Sequence, residues 1–456
     1  MEQQKMKYDA VIIGGGPGGY TAAIRTAQLG GKAILVERDA LGGVCTNRGC
    51  IPTKTLWSVA RDMGRMDSLA KRGVLVEKSG IDFNALLKWK NRVVSTTVKG
   101  IEKLLESNSI EVVYGNARIL DVKTVEADGR RLECDNIIIA TGSVPAGIPG
   151  IEYDGEFILS SEGILGLEEL PARLLIIGGG VVGVEYATIF SRLGSEVTIV
   201  EMEERLLPME DPEISGEVMK NLSKNAKIHV NSKVSRTDST SGKAYVETPD
   251  GSIEVNADKV LVAVGRIPSI NRQELDALGI EYDNRGIKVD SRMRTNITGI
   301  YAIGDVAGGL QLAHVASNEG LVAAENMMGI DSEMTYDAIP WCVFSIPEMA
   351  RVGVTSHEAG EHGEGMFPYA ASGKARCEDA RQGFAKVLID SNHRIIGVHL
   401  VGENASDMIA EAALAVDRRM TAEEFAETVR AHPTYPEIIL EAVLDAINSA
   451  IHLPKD

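Results

Sequence analysis

Cys45 and Cys50 stand five residues apart in GGVCTNRGCIPTK, residues 42–54, within a chain of 456 residues that holds five cysteines in all. Thiols this close can cycle between dithiol and disulfide, or join in binding a metal. Zinc asks for about four ligands, while Cys134, Cys342 and Cys377 are scattered singly along the chain. No metal site is expected. The leading MEQQKMKYDA lacks the apolar stretch of a secretion signal, so a cytoplasmic protein is expected, and stable structural disulfides are rare in that compartment. A redox dithiol is the favoured reading, with a metal-binding or purely structural pair as the alternatives. The pair lies in a glycine-bounded turn that leads through Pro52 into a probable helix, TKTLWSVARDM. If both thiols sit in first helical turns, the helix dipole favours thiolate and lowers their pKa. Lys54 follows Cys50 by four residues, on the same helical face, where its cation could stabilise an anionic ring system or simply lie in solvent.

The elements that must position this pair come from a repeated device. Residues 8–37 run as an apolar strand, a glycine turn, an alanine-rich helix and a second strand ending in Glu37, and residues 173–201 repeat the plan up to Glu201. Each copy carries GxGxxG, at Gly14, Gly16 and Gly19 and at Gly178, Gly180 and Gly183, and in both the terminal acid lies 23 residues after the first glycine. The chemistry is that of a dinucleotide: glycines bring the backbone close to a pyrophosphate, the helix N-terminus offers unpaired N–H groups, and the acid takes a ribose hydroxyl. One such pattern can be an ordinary structural turn; two at identical spacing make that reading improbable. A further echo, DNIIIATGS at 135–143 and DKVLVAVGR at 258–266, reads as the strand closing each unit. Glu201 stands where a 2′-phosphate would lie and would repel it, favouring NAD over NADP, and nearby Arg205 is hemmed in by the carboxylates of EMEER.

Length predicts two to four domains, and a composition of 44% hydrophobic and 25% charged residues predicts a globular chain. A formal charge of −18, without a basic stripe, argues against nucleic acid, and no apolar run is long enough to span a bilayer. Among eight histidines, HEAGEH at 357–362 misses the HExxH metalloprotease spacing by one residue and reads as a polar loop. In RAHPTYPEI, His432 precedes Pro433, and Glu437 follows after Pro436, which predicts a turn in which a carboxylate can orient an imidazole for proton transfer, or an ordinary surface pair.

GGVCTNRGCIPTK resembles the redox-active motif of the class I flavin-dependent pyridine nucleotide-disulfide oxidoreductases, and the likeness continues through GIYAIGDVAGGLQLAHVASNEG at 299–320 and RAHPTYPEI at 430–438. It implies an α/β fold with two Rossmann-like dinucleotide-binding domains and a C-terminal α+β dimerisation domain. The FAD domain would span 1–143 and 264–332, the NAD domain 144–263 and the interface domain 333–456. By resemblance, Cys50 would face FAD and Cys45 the substrate, with Lys54 beside the flavin and paired to Glu185. Gly14, Gly16, Gly19, Glu37, Gly115, Thr141, Gly142, Asp305 and Ala313 would hold FAD, and Gly178, Gly180, Gly183, Glu201 and Gly265 would hold NAD. His432 and Glu437 would reach the cysteines of the other subunit, so a homodimer is implied, although the family usually has serine where this chain has Pro436. Glutathione-type members use arginines where this chain has Ile24 and Leu321, and mercuric and thioredoxin reductase-like members add a cysteine pair near the C-terminus, whereas this tail reads INSAIHLPKD. The resemblance is greatest to the lipoamide-oxidising branch. It implies dihydrolipoamide or a lipoyl-bearing protein domain as partner, in a 2-oxoacid dehydrogenase or glycine cleavage type complex. A reductase of another small disulfide and a flavin redox sensor without turnover are the alternatives.

Overall fold

The computed structural model describes residues 7–75 and 80–454, so the expectations attached to MEQQKM and to the last two residues lie outside the described residues. The apolar strand Lys7–Ile13 pairs in parallel with Ala33–Glu37 on one side and Arg130–Ile139 on the other. Its residues alternate between two cores: Val11 and Ile13 join Ile34, Val36, Ile137 and Ile139, while Ala10 and Ile12 join Leu35 and Ile138. A strand buried on both faces reads as a continuous apolar run, which is why AVII and NIII carry no polar alternation. Glu111–Tyr114 and Ile300–Ala302 extend the parallel part, and the antiparallel strands Thr124–Ala127 and Ala117–Asp121 complete a seven-stranded sheet.

The second glycine unit builds a five-stranded parallel sheet in the order Ala226–His229, Glu196–Val200, Arg173–Ile177, Lys259–Val262, Ile158–Ser160. In both sheets the strand before the glycine turn lies between the strand that ends in the acid and the strand of the echo. The third sheet is antiparallel: Trp341–Val343, Glu348–Gly353, Ile395–Gly402, Phe384–Ile389, Gly363–Pro368. One of its faces packs Ala350, Val352, Ala385, Val387, Val398 and Leu400 against the helices Ala405–Asp417 and Pro436–Ala446.

By compactness the chain divides into one unit of 1–55, 84–146 and 265–335, and another of 56–83, 147–264 and 336–456. The first holds the seven-stranded sheet; the second holds both five-stranded sheets. Among the described residues, no helix is long and apolar enough to cross a membrane.

Candidate active site

Each glycine turn divides its labour in the same way. Gly14 and Gly178 adopt φ of +109° and +108°, a region that favours glycine, and a Cβ there would come within 2.3 Å of Ala140 O or 2.4 Å of Ala263 O. A Cβ on Gly19 or Gly183 would lie 1.8 or 1.9 Å from the carbonyl oxygen of Gly14 or Gly178, so these glycines let the helix close onto the turn. Around Gly16 and Gly180 a Cβ would meet nothing within 4 Å. That open space, at the start of the helices Pro17–Gln28 and Val181–Leu193, is the cradle a pyrophosphate needs, and both turns fit a dinucleotide.

The two acids do more than the sequence suggests. Glu37 Oε2 accepts a hydrogen bond from Gly15 N at 2.7 Å and its Oε1 one from Asp39 N at 2.8 Å. Glu201 repeats this, accepting from Gly179 N and from Glu203 N. Each buried carboxylate thus ties its glycine turn to the end of the neighbouring strand.

The first unit gathers the other expected flavin positions. Gly115 donates its N–H to Glu37 O at 2.8 Å with φ of +153°, Thr141 Oγ1 donates to Ser269 O at 2.7 Å, and Gly142 takes φ of +70°. Ala313 opens the helix Ala313–Met327, where first-turn N–H groups have no intrahelical partner. Gly265, expected to serve NAD, lies in this unit, with φ of +111° and its carbonyl accepting from Ala146 N. Asp305 is held by Ser143, whose hydroxyl donates to it and accepts from Arg266 Nε at 2.7 Å. Ser143 and Arg266 lie 123 residues apart, so no local pattern in the chain marks them as partners.

Cys45 is the third residue of the short helix Gly43–Arg48, and Cys50 opens the long helix Cys50–Lys71. No disulfide joins the two sulfurs. The expected depression of both thiol pKa values needs correction at Cys45. Its thiol is held far above the ordinary range by its hydrogen bond to Cys50, then by burial and by the charge of Cys50, with Lys54 pulling the other way. Two adjacent sulfurs cannot both carry charge, so the pair shares one anion. Tyr20, in the first glycine helix, is also close: burial and then the charge of Cys45 raise its hydroxyl. Glu185, in the other unit, is buried and accepts from Phe344 N at 3.0 Å.

His432 Nδ1 and Glu437 Oε1 lie 2.8 Å apart, and Glu437 Oε2 accepts Thr434 N at 2.7 Å. Burial raises the Glu437 carboxyl, but the Thr434 amide and the imidazole outweigh it and hold the group below its usual range. Pro436 is the first residue of the helix Pro436–Ala446, a position where the missing N–H costs nothing, so proline in place of serine leaves the pair intact. The His432 side chain is 77% exposed in the isolated chain. Ile24 packs on the apolar core of the first unit. Among the described residues, no group of three or more His, Cys, Asp or Glu is arranged to hold a metal.

Residues 8–320 match the family described as pyridine nucleotide-disulphide oxidoreductase, and residues 339–443 match its dimerisation domain. Two proteins of Bacillus subtilis named dihydrolipoyl dehydrogenase are 37% and 40% identical to this chain, over 97% and 98% of its length and 99% and 98% of theirs. The mitochondrial dihydrolipoyl dehydrogenase of Pisum sativum is 39% identical over 98% of this chain and 92% of its own. Among solved structures, LpdA from Mycobacterium tuberculosis superposes with a TM-score of 0.88 at 28% identity, covering 95% of this chain and 98% of LpdA. The HOCl-induced flavoprotein disulfide reductase RclA from Escherichia coli gives 0.84 at 29% identity, covering 96% and 99%.

Proposed function

The chain belongs to the pyridine nucleotide-disulphide oxidoreductase family, and from that premise we propose that it acts as a dihydrolipoyl dehydrogenase, oxidising lipoyl dithiols with FAD and NAD. The observation that carries the reading is the Cys45/Cys50 pair, one thiol at the mouth of a long helix and its neighbour bonded to it, within a chain that shares 37–40% identity over its whole length with proteins of that name. Gly14, Gly16, Gly19, Glu37, Gly115, Thr141, Gly142, Asp305 and Ala313 would hold FAD, and Gly178, Gly180, Gly183 and Glu201 would hold NAD. FAD held there would supply a two-electron acceptor for the dithiol and a hydride donor to NAD.

The work of the chain's own residues is proton and sulfur chemistry. His432 of the partner subunit, oriented through Nδ1 by its carboxylate, accepts a proton at Nε2 from one substrate thiol. The resulting thiolate attacks Cys45 of the Cys45–Cys50 disulfide, forming a mixed disulfide and releasing Cys50 as thiolate. The second substrate thiol, losing its proton, attacks the substrate sulfur of that bond; substrate leaves as disulfide and Cys45 as thiol. Lys54, one helical turn from Cys50 and acting on the pair's shared charge, stabilises the anionic form. The reading includes an FAD domain of 1–143 with 264–332, an NAD domain of 144–263, an interface domain of 333–456 and a cytoplasmic homodimer. It also includes a lipoyl-bearing partner domain in a 2-oxoacid dehydrogenase or glycine cleavage type complex.

Cys45→Ser tests the scheme: the purified variant is expected to keep its flavin absorbance while losing at least about 99% of dihydrolipoamide turnover. Wild-type turnover in that variant would refute it. A second reading, reduction of another small disulfide, draws on the likeness to RclA and is separated by a substrate panel run with NADH.

A further inference from the structure

The strand Phe384–Ile389 carries a lysine in the middle of an otherwise apolar run, and Lys386 is only 1% exposed. It sits in one rung across the third sheet, where Lys386 pairs with His399 and His399 with Arg351 on the next strand. The residues on either side of that rung, Ala385, Val387, Val398, Leu400, Ala350 and Val352, all turn to the opposite face and form the domain core. The rung therefore presents Lys386, His399 and Arg351 on a single face.

What faces them is the end of the segment that follows the nucleotide acid Glu201. Lys386 Nζ donates to Glu213 Oε2 at 3.3 Å and lies 3.3 Å from Asp211 and 3.2 Å from Glu364, so three carboxylates surround its charge. Asp211 is fully buried and also accepts Ser356 N at 2.9 Å and Ser356 Oγ at 3.0 Å. Arg351 Nε is 2.9 Å from Glu210 Oε2, an ion pair without hydrogen-bond alignment. His399 Nε2 bonds Val354 O at 3.0 Å and lies 3.9 Å from Asp211, while burial lowers the ring's pKa.

The same segment closes on the second glycine turn. Leu207 N donates to Gly179 O at 2.9 Å, and Leu206 Cδ2 would be 2.4 Å from a Cβ on Gly179. Leu207 holds φ of +48°, a conformation that a branched residue keeps only when its surroundings hold it there. Ser215 Oγ, four residues past Asp211, bonds Leu206 O. A continuous set of buried contacts thus runs from Lys386 through Asp211 and Leu206–Leu207 to Gly179, whose amide also binds Glu201.

We infer that Lys386, with Asp211 and Ser356, is a positioning residue for the nicotinamide nucleotide: the C-terminal sheet sets the glycine turn and ribose acid of a site to which it contributes no contact. The inference rests on the reading that the second glycine turn binds NAD. Removing the ammonium leaves Asp211 buried with Ser356 as its remaining close support, and the segment must move to solvate it.

The test uses FAD-loaded enzyme with two readouts, the Kd for NAD+ by titration and the rate at which dihydrolipoamide alone reduces the flavin anaerobically. Lys386→Met is expected to weaken NAD+ binding about tenfold and to leave flavin reduction within about twofold, and Lys386→Met/Asp211→Asn, which removes both charges, recovers most of the affinity. Ser356→Ala, a milder change that serves if Lys386→Met does not fold, is expected to weaken NAD+ about threefold. Unchanged NAD+ affinity in Ser356→Ala and in any folded Lys386 variant, or equal losses in both readouts without recovery in the double variant, overturns the inference. Gly180→Val separates this from the reading beneath it. If Gly180→Val abolishes NAD+ binding while the rung variants do not affect it, this inference alone fails; if Gly180→Val binds NAD+ normally, the assignment of the second turn fails with it.

Discussion

Gly180→Ala and Gly183→Ala add the same methyl group three residues apart, yet the structure expects opposite consequences. At Gly183 the new Cβ would lie 1.9 Å from Gly178 O, and ordinary contact begins near 3.4 Å, so the helix Val181–Leu193 must retreat by about 1.5 Å. The obstacle is backbone, which cannot rotate aside as a side chain does. Overpacking costs about 1–3 kcal/mol, and an immovable neighbour puts this case at about 3, or roughly 6–12 °C of thermal midpoint for a domain of this size. At Gly180 nothing lies within 4 Å, so stability without nucleotide should change by less than about 0.5 kcal/mol. The methyl would instead occupy the space a pyrophosphate approaches and weaken NAD+ binding. Thermal unfolding without NAD, beside NAD+ titration at 25 °C, gives both numbers for each variant. Gly16→Ala and Gly19→Ala are expected to repeat the contrast in the first unit, with FAD retention as the readout. If Gly183→Ala unfolds no earlier than Gly180→Ala, the close-packing account of the third glycine is wrong.

Glu437→Gln takes from the His432 ring the carboxylate that orients it, so dihydrolipoamide turnover should fall by about tenfold or more. Turnover equal to the parent's would remove Glu437 from the scheme. Burial pushes Glu210 up to about 7, helped by Asp211 and Glu358 and opposed by Arg351. Because the folded chain then binds more protons at this group than the unfolded chain, its contribution to stability is fullest below the unfolded pKa and is lost as pH rises through about 7. Glu210→Gln should accordingly flatten the fall in thermal midpoint between about pH 4.5 and 7, and parallel curves for the two proteins would show that Glu210 does not titrate there.

What the amino-acid order determined by itself is local and periodic. The two glycine turns, the strands on either side and the acids 23 residues on are legible because a βαβ unit folds from contiguous chain, with the third glycine of each turn answering the carbonyl of the first. The cysteine spacing is legible for the same reason, as is the turn that brings His432 to Glu437 within five residues. The hairpin of Phe384–Ile389 with Ile395–Gly402 and the apolar helix Pro436–Ala446 follow from pattern too. Tertiary structure alone decided what depends on residues far apart in the chain. It set Ser143 between Asp305 and Arg266, and it raised the Cys45 thiol by burying it against a second sulfur where the helix dipole by itself would lower it. It also enclosed Lys386 among the carboxylates of Asp211, Glu213 and Glu364. A lysine inside an apolar strand looks like a solvated exception when read along the chain, because its partners are fixed by how one sheet packs on the segment leaving another, and no period within either segment encodes that meeting.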